Sequence, residues 1–271
     1  MTAAASSTSL PDLYRRTEPW VRRGLGALRG VFDGLWLGLL RQARLDALDG
    51  QYYDAKAMYV DDLYNTSGLH TWERRAIDEH FPSGGRIVVT GAGGGREVLA
   101  LLDRGFDAVG FECNRRLVSY GDALLRRHGH QGRLLWAPRH EWPVGSGHCD
   151  AVIVGWGSYT HMPGRGTRLA FLRGARAALP AGGPILLSFW AVHSLTTYLR
   201  TVEVVGTMLR RLRRRPALDP GDALAGTYVH FFTEAQIDAE LSAAGFTTVT
   251  YRDREYAMAV GTVPAIMEGA R

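Results

Sequence analysis

The chain has 271 residues, enough for one large domain or one sizeable domain with appendages. A hydrophobic content of 46% and a charged content of 22% fit a soluble globular protein with a full core. They leave no bilayer span: the most apolar early run, 31–40, is interrupted and falls well below the ~20 residues a span needs. The net charge of +5 and a pI near 9.4 invite a nucleic-acid partner, but Lys56 is the only lysine and the arginines are scattered along the chain. Charge alone therefore supports a polyanion partner only weakly.

Residues 1–11 are small and polar, lack the apolar segment of a signal peptide, and read as a disordered leader. Cys113 and Cys149, with no CxxC pattern, read as free thiols in a reducing compartment, so a cytoplasmic location is expected. From Asp12 to Asp49 the apolar residues Trp20, Leu25, Leu28, Phe32, Leu35, Leu39 and Leu40 recur at helical spacing between arginines. A helix packed on the main domain is favoured over one lying on a membrane. The stretch 52–72 then gathers Tyr52, Tyr53, Tyr59, Asp61, Asp62, Tyr64, Asn65, Ser67, His70 and Trp72. Aromatics with polar tips suit either a pocket wall or a docking surface onto the core.

After 82–85 the pattern becomes alternating. Strands are expected at 86–90, 107–112, 133–136, 150–155, 185–190, 247–252 and 256–260, and helices at 95–104, 115–128, 165–179 and 194–212. The run Arg210, Arg211, Arg213, Arg214 and Arg215 closes the last of these, where cations suit the helix dipole. Residues 219–227 read as a flexible loop, and Thr233-Glu-Ala-Gln236 as a capping box opening a further helix. Repeated strand–helix units imply a parallel sheet covered on both faces.

The stretch that carries chemistry is 86–102. Ile87, Val88 and Val89 form a buried strand, which breaks at Gly91, Gly93, Gly94 and Gly95 before a helix begins at Arg96. A glycine turn at a helix N-terminus lets a ligand approach the backbone and favours an anionic group. Glu112 ends the next strand, 21 positions after Gly91, where a carboxylate can accept from both hydroxyls of a ribose. A dinucleotide and S-adenosylmethionine share this arrangement; the third dinucleotide glycine is replaced by Arg96, which suits the second better.

With Val89-Thr-Gly-Ala-Gly-Gly-Gly95, Glu112, Cys149-Asp-Ala-Val-Ile-Val-Gly155, Leu179-Pro-Ala-Gly-Gly-Pro-Ile-Leu-Leu-Ser188 and Phe232-Thr-Glu-Ala-Gln-Ile237 followed by Ala244-Gly-Phe246, the chain resembles the class I S-adenosylmethionine-dependent methyltransferases over roughly 80–262. The resemblance implies an α/β three-layer sandwich with a seven-stranded, mostly parallel sheet whose strand seven is antiparallel, carrying an N-terminal helical arm. It implies S-adenosyl-L-methionine as cofactor, held by Thr90, Gly91, Ala92, Gly93, Gly95, Glu112, Cys113, Asn114, Gly155 and Trp156. Two positions depart from the family: Val89 stands where an acid is common, and 136–142 lacks the usual adenine-contacting Asp, leaving Glu141, Trp136 or His140 in its place.

Gly155-Trp-Gly-Ser-Tyr-Thr-His-Met162 follows the fourth strand, at the carboxyl edge where ligands of open α/β sheets sit. His161 is the expected base toward a hydroxyl acceptor, Tyr159 its orienter or a cation-facing wall, and His193 the second choice; the alternative is His161 capping the next helix or bonded to backbone. No His, Cys or carboxylate cluster has metal-ligand spacing, and no Asn/Asp-Pro-Pro-aromatic stretch suggests methylation of nucleic-acid bases. The expected organisation is a leader at 1–11, a helical arm at 12–80 and a core at 81–271 with a helical insertion at about 192–227. The expected activity is methyl transfer to an O or N atom of a small metabolite or sugar. The alternatives are an NAD(P)-dependent oxidoreductase and a non-catalytic module that binds cofactor or a membrane surface.

Overall fold

The computed structural model describes residues 10–254 and 256–265. The expected leader lies outside the described residues up to position 9, and Leu10 and Pro11 already belong to a helix. Two compact units form: one from residues up to Leu40 with Ser194–Leu224, the other from Arg41–His193 with Ala225 onward.

The smaller unit is built on α1 (Leu10–Leu39) and α8 (Thr197–Leu212), with the short strand β6 (Asp222–Leu224) beside them. The two helices run side by side in the same direction, because Gly30, Gly34 and Gly38 of α1 meet in turn Thr201, Val205 and Leu209 of α8. Their C-termini share one end, where Arg213 and Arg215 donate to the carbonyls of Leu39 and Leu40. Those bonds close α1 at Leu39, so the helical pattern expected to run unbroken to Asp49 stops and restarts at Gln42. Residues 219–227, expected as a loop, include strand β6, and Asp222 Oδ2 accepts from Asp219 N–H at 3.0 Å on its approach.

The larger unit opens with α2 (Gln42–Asp54), the one-turn α3 (Asp62–Asn65) and α4 (Thr71–His80). Its strands are β1 (Arg86–Thr90), β2 (Asp107–Glu112), β3 (Leu134–Trp136), β4 (Ala151–Val154), β5 (Pro184–Ala191), β7 (Tyr228–Phe232), β8 (Thr247–Arg252) and β9 (Ala257–Thr262). Seven of them lie in the order β3-β2-β1-β4-β5-β9-β8, parallel except that β9 runs antiparallel to both neighbours, as the sequence implied. The sheet is covered on both faces. Val88, Val152, Ile185 and Leu187 pack beneath α7 (Arg165–Ala178) and α9 (Glu234–Ala243), while Ile87, Val89, Ile153 and Leu186 pack beneath α4, α5 (Arg96–Asp103) and α6 (Arg115–Arg127). Period-two alternation of apolar residues thus divides one sheet between two cores.

Strand β7 has no counterpart in the sequence reading. It pairs with the last two residues of β5, Trp190↔Phe231 and Ala191↔Phe232, beyond the point where β9 leaves that edge. Two paired residues leave little periodicity to read. The expected capping box is present: Thr233 accepts from Gln236 N–H, and the Gln236 side chain accepts from Thr233 N–H at 2.8 Å.

Candidate active site

Strand β1 ends at Thr90, and the chain turns through Gly91, Gly93 and Gly95 with φ of +63°, +54° and +95°. Residues with a Cβ rarely adopt these values, which is why the turn is written in glycine. A Cβ on Gly93 would meet no atom within 4 Å, whereas one on Gly94 would run into the Tyr59 carbonyl and the Asn65 side chain. The turn is therefore backed by the 57–65 segment and open in front.

Glu112 closes over it from the end of β2. Its Oε2 accepts from Gly93 N–H at 2.9 Å and its Oε1 from Asn114 N–H at 2.8 Å, so turn and acid form one bonded unit. The carboxylate is buried, yet it borders a solvent-open cavity within the larger unit. Thr90, Gly91, Gly93, Glu112, Cys113, Asn114 and Trp156 all border that cavity. The other three expected cofactor residues support it from behind. Ala92 N–H donates to Phe111 O, Gly95 is the residue before α5, and Gly155 lies so close to Gly91 that a Cβ would stand 2.6 Å from its carbonyl oxygen.

A nucleoside sulfonium fits this set. The space before Gly93 is open, and the buried hydroxyl of Thr90 has no hydrogen-bond partner among the described residues. A carboxylate with unused lone pairs faces the cavity. Beyond it Leu117, Ala137 and Phe111 offer apolar surface for a flat base. Of the residues considered for the adenine end, Glu141 and His140 border the cavity. Trp136 instead donates from Nε1 to Cys113 O and carries Arg115 against its exposed ring.

Arg96, the residue in place of a third dinucleotide glycine, turns away from the cavity. It is 2% exposed, donates to both oxygens of Glu73 at 2.8 and 2.6 Å, and reaches Glu97 at 2.8 Å. Glu97 in turn accepts from Trp156 N–H, and Glu73 from His70 N–H. Two buried carboxylates thus share one guanidinium. Burial raises the Glu73 carboxyl to about 7, with Arg96 opposing and the Glu97 charge adding.

His161 borders the same cavity, at the end of a short 3-10 turn after β4. Its Nδ1 stands 2.9 Å from Tyr228 O and its Nε2 2.8 Å from the Tyr53 hydroxyl. A carbonyl can only accept, so Nδ1 carries the proton and Nε2 accepts from Tyr53. Burial holds the imidazole pKa below its ordinary value, against the pull of the Asp49 carboxylate 3.8 Å from Nδ1. Asp49 is itself held by Arg139 and by the Thr227 hydroxyl. Burial also raises the phenols of Tyr53 and Tyr59, the second to about 12. Both rings border the cavity, while Tyr64 and His70 pack on Trp156. The aromatic segment 52–72 therefore does both things considered for it.

The other two expected catalytic residues are not brought to His161. Tyr159 is fully buried, stacked on Phe232, and donates to Glu240 at 2.6 Å, which Arg168 grips through two nitrogens. His193 has a side chain 93% exposed and lies 3.3 Å from Asp253. Conversely Asp49 and Arg139 had no assigned role, and Tyr53 only that of a pocket wall or docking surface. Asp49 and His161 are 112 positions apart, and no local spacing announces such a contact.

The methyltransferase-domain family matches residues 69–251, more than half of the chain. No curated protein matches it by sequence. Among solved structures it resembles an S-adenosylmethionine-dependent methyltransferase from Methanosarcina mazei at 15% identity and TM-score 0.56, over 73% of this chain and 99% of that one. It resembles the 1,6-didemethyltoxoflavin-N1-methyltransferase of Burkholderia thailandensis, solved with S-adenosylhomocysteine, at 16% identity and TM-score 0.55, over 83% and 92%. A third likeness is the sugar N-methyltransferase KedS8 from Streptoalloteichus, at 16% identity and TM-score 0.52, over 71% and 85%. At these identities the structural likenesses speak for the fold, and the match over 69–251 speaks for the family. The chain belongs to the class I S-adenosylmethionine-dependent methyltransferases.

Proposed function

We propose that the protein transfers a methyl group to an O or N atom of a small molecule, a metabolite or a sugar, bound in the cavity between the glycine turn and His161. S-adenosylmethionine supplies the methyl group as a sulfonium, open to in-line displacement. Gly91 and Gly93 receive its methionyl end, and Glu112 accepts from its ribose hydroxyls. Orientation supplies much of the acceleration in such a transfer. A base is needed where the acceptor gives up a proton during attack.

The Tyr53–His161 pair meets that need. An acceptor hydroxyl beside Tyr53 passes its proton to the phenol oxygen as Tyr53 passes its own to Nε2 of His161. The imidazolium so formed faces the Asp49 carboxylate. The observation that carries this reading is the 2.8 Å contact between Tyr53 and His161 on the same cavity as Glu112. Neighbours in fold whose names describe sugar and heterocycle N-methylation support a small acceptor.

The test has two arms. Calorimetry should give S-adenosylhomocysteine binding that weakens about tenfold or more in Glu112→Gln, with no comparable affinity for NAD. Release of S-adenosylhomocysteine with hydroxyl acceptors should fall ~10²–10⁴-fold in His161→Gln and less in Tyr53→Phe, with binding of S-adenosylhomocysteine unchanged. Undiminished turnover in both variants would remove the relay.

A further inference from the structure

The helix α1 is built inside out. Its buried residues are Gly30, Gly34 and Gly38 with Asp33 and Leu37, and the glycines set the approach to α8: a Cβ on Gly30 would stand 2.7 Å from Tyr198 O, and one on Gly38 would stand 2.6 Å from Leu209 Cβ. The opposite face carries the bulk. Val21, Leu25, Leu28, Phe32, Leu35 and Leu39 follow one another at steps of four and three, which keeps them on one stripe. All six are exposed, Leu28 by 70% and Phe32 by 60%, with Trp36 beside them. Small residues at a helix contact and large ones outward is the arrangement used where the surroundings are lipid.

The charge of the chain is concentrated in the same unit. Residues 10–40 and 194–224 hold eleven arginines and six acidic residues, a surplus of five; the whole chain, with 32 basic and 27 acidic residues, has the same surplus. The larger unit is therefore neutral overall. Arg22 and Arg29 run along one flank of the stripe, leaning on Glu18 and on Asp33. Arg211, Arg213 and Arg214 are exposed at the C-terminal end of α8, and Arg213 touches Leu39 O at the end of the stripe.

A second copy is the other occupant this spacing would suit, through a coiled coil. The flanking positions speak against it. Arg22 and Arg29 fill one side, and Gly24, Val31 and Gly38 the other, so a copy would bring no acid to meet the arginines. An anionic lipid surface meets both features at once: acyl chains take Phe32 and its neighbours, and phosphates take the arginines. No helix among the described residues is long and apolar enough to cross a membrane, so α1 would lie in the interface plane. We propose that the outward stripe of α1, between Val21 and Leu39, docks this protein on an anionic membrane surface.

Co-sedimentation of the full chain with phosphatidylglycerol–phosphatidylcholine vesicles and with phosphatidylcholine vesicles tests this. We expect binding to the first, weakened by salt, and little to the second. The double variant Phe32→Ser/Trp36→Ser should lose at least about tenfold in partition. Reversing Arg211 and Arg214 to Glu should lose at least about fivefold per arginine. Both sets are surface changes; unaltered helical circular dichroism and S-adenosylhomocysteine affinity verify the fold independently of the reading of the active site. Failure to bind phosphatidylglycerol vesicles, or equal binding by the Phe32/Trp36 variant, would overturn the proposal. So would a concentration-dependent dimer that dissolves in that variant, which would give the stripe to a second copy.

Discussion

Two glycine-rich stretches serve opposite ends. In the turn at Gly91–Gly95 the missing side chains let the backbone take left-handed values and leave space in front of Gly93. In α1 the glycines have helical geometry, and their missing side chains remove space, bringing α8 to within contact of the α1 backbone. The two are also held differently. The turn is braced by buried charge, through Arg96, Glu73 and Glu97 behind it and Glu112 over it. The α1–α8 contact is held by packing along its length, with Tyr198 donating to Asp33 at 2.6 Å as a polar pin. At Gly93 the ligand role shows as an open Cβ position beside a carboxylate, and in α1 the packing role of Gly30, Gly34 and Gly38 shows as filled ones.

The largest expected effect breaks the charged brace. Arg96→Met leaves Glu73 and Glu97 buried beside each other without a cation, and a buried pair broken on one side costs ~3–5 kcal/mol. Urea unfolding should show it. Making Glu73→Gln and Glu97→Gln in the same chain should restore part of the loss, because the buried carboxylates then disappear. A stability for Arg96→Met within 1 kcal/mol of the parent, on the order of ordinary surface changes, would mean that the brace does not hold the turn.

Next in size is a pH effect from the same cluster. In the folded chain Glu73 titrates at about 7, against an ordinary 4.5. Between these values the folded state binds more protons than the unfolded state, so stability falls as pH rises. The contribution is complete below about 4.5 and lost as pH passes 7, a total of at most ~3 kcal/mol. Glu97→Gln removes the like charge and should flatten the Tm profile between pH 5 and 8, roughly the window those values define. A parent chain whose Tm rises over that range would contradict the assignment.

The turn was legible in the sequence because strand, glycines and acid are close along the chain: Ile87–Val89, Gly91–Gly95 and Glu112 lie within 26 residues. The alternation gave a parallel sheet covered on both faces, and the resemblance to the methyltransferase family gave the seven strands with the last antiparallel. What could not be read is what folding alone brings together. Tyr53 meets His161 across 108 positions, and Arg139 meets Asp49 across 90. Tyr159 illustrates the converse, since its place near His161 in sequence suggested a shared role. The 3-10 turn points its ring instead into the core, toward Phe232 and Glu240. On α1 the leucine pattern gave the helix, but it did not say that Gly30, Gly34 and Gly38, with Asp33 and Leu37, would be the buried face while the other leucines stay exposed.

The smallest effects separate the two kinds of glycine most cleanly. Alanine is favoured over glycine inside a helix by up to ~1 kcal/mol. At Gly24, where a Cβ would meet nothing within 4 Å, Gly24→Ala should realise that gain. At Gly38 the same methyl would stand 2.6 Å from Leu209 Cβ, and overpacking of ~1–3 kcal/mol reverses the sign. Hydrogen exchange of the α1 amides should slow in the first variant and quicken in the second. Gly93→Ala meets no atom either, but its φ of +54° costs an alanine ~1 kcal/mol, and the methyl projects into the cavity. That variant should fold with a modest loss of stability and yet bind S-adenosylhomocysteine far more weakly than its stability change implies. Equal affinity in Gly93→Ala would mean that the open space before the turn is not where the cofactor lies.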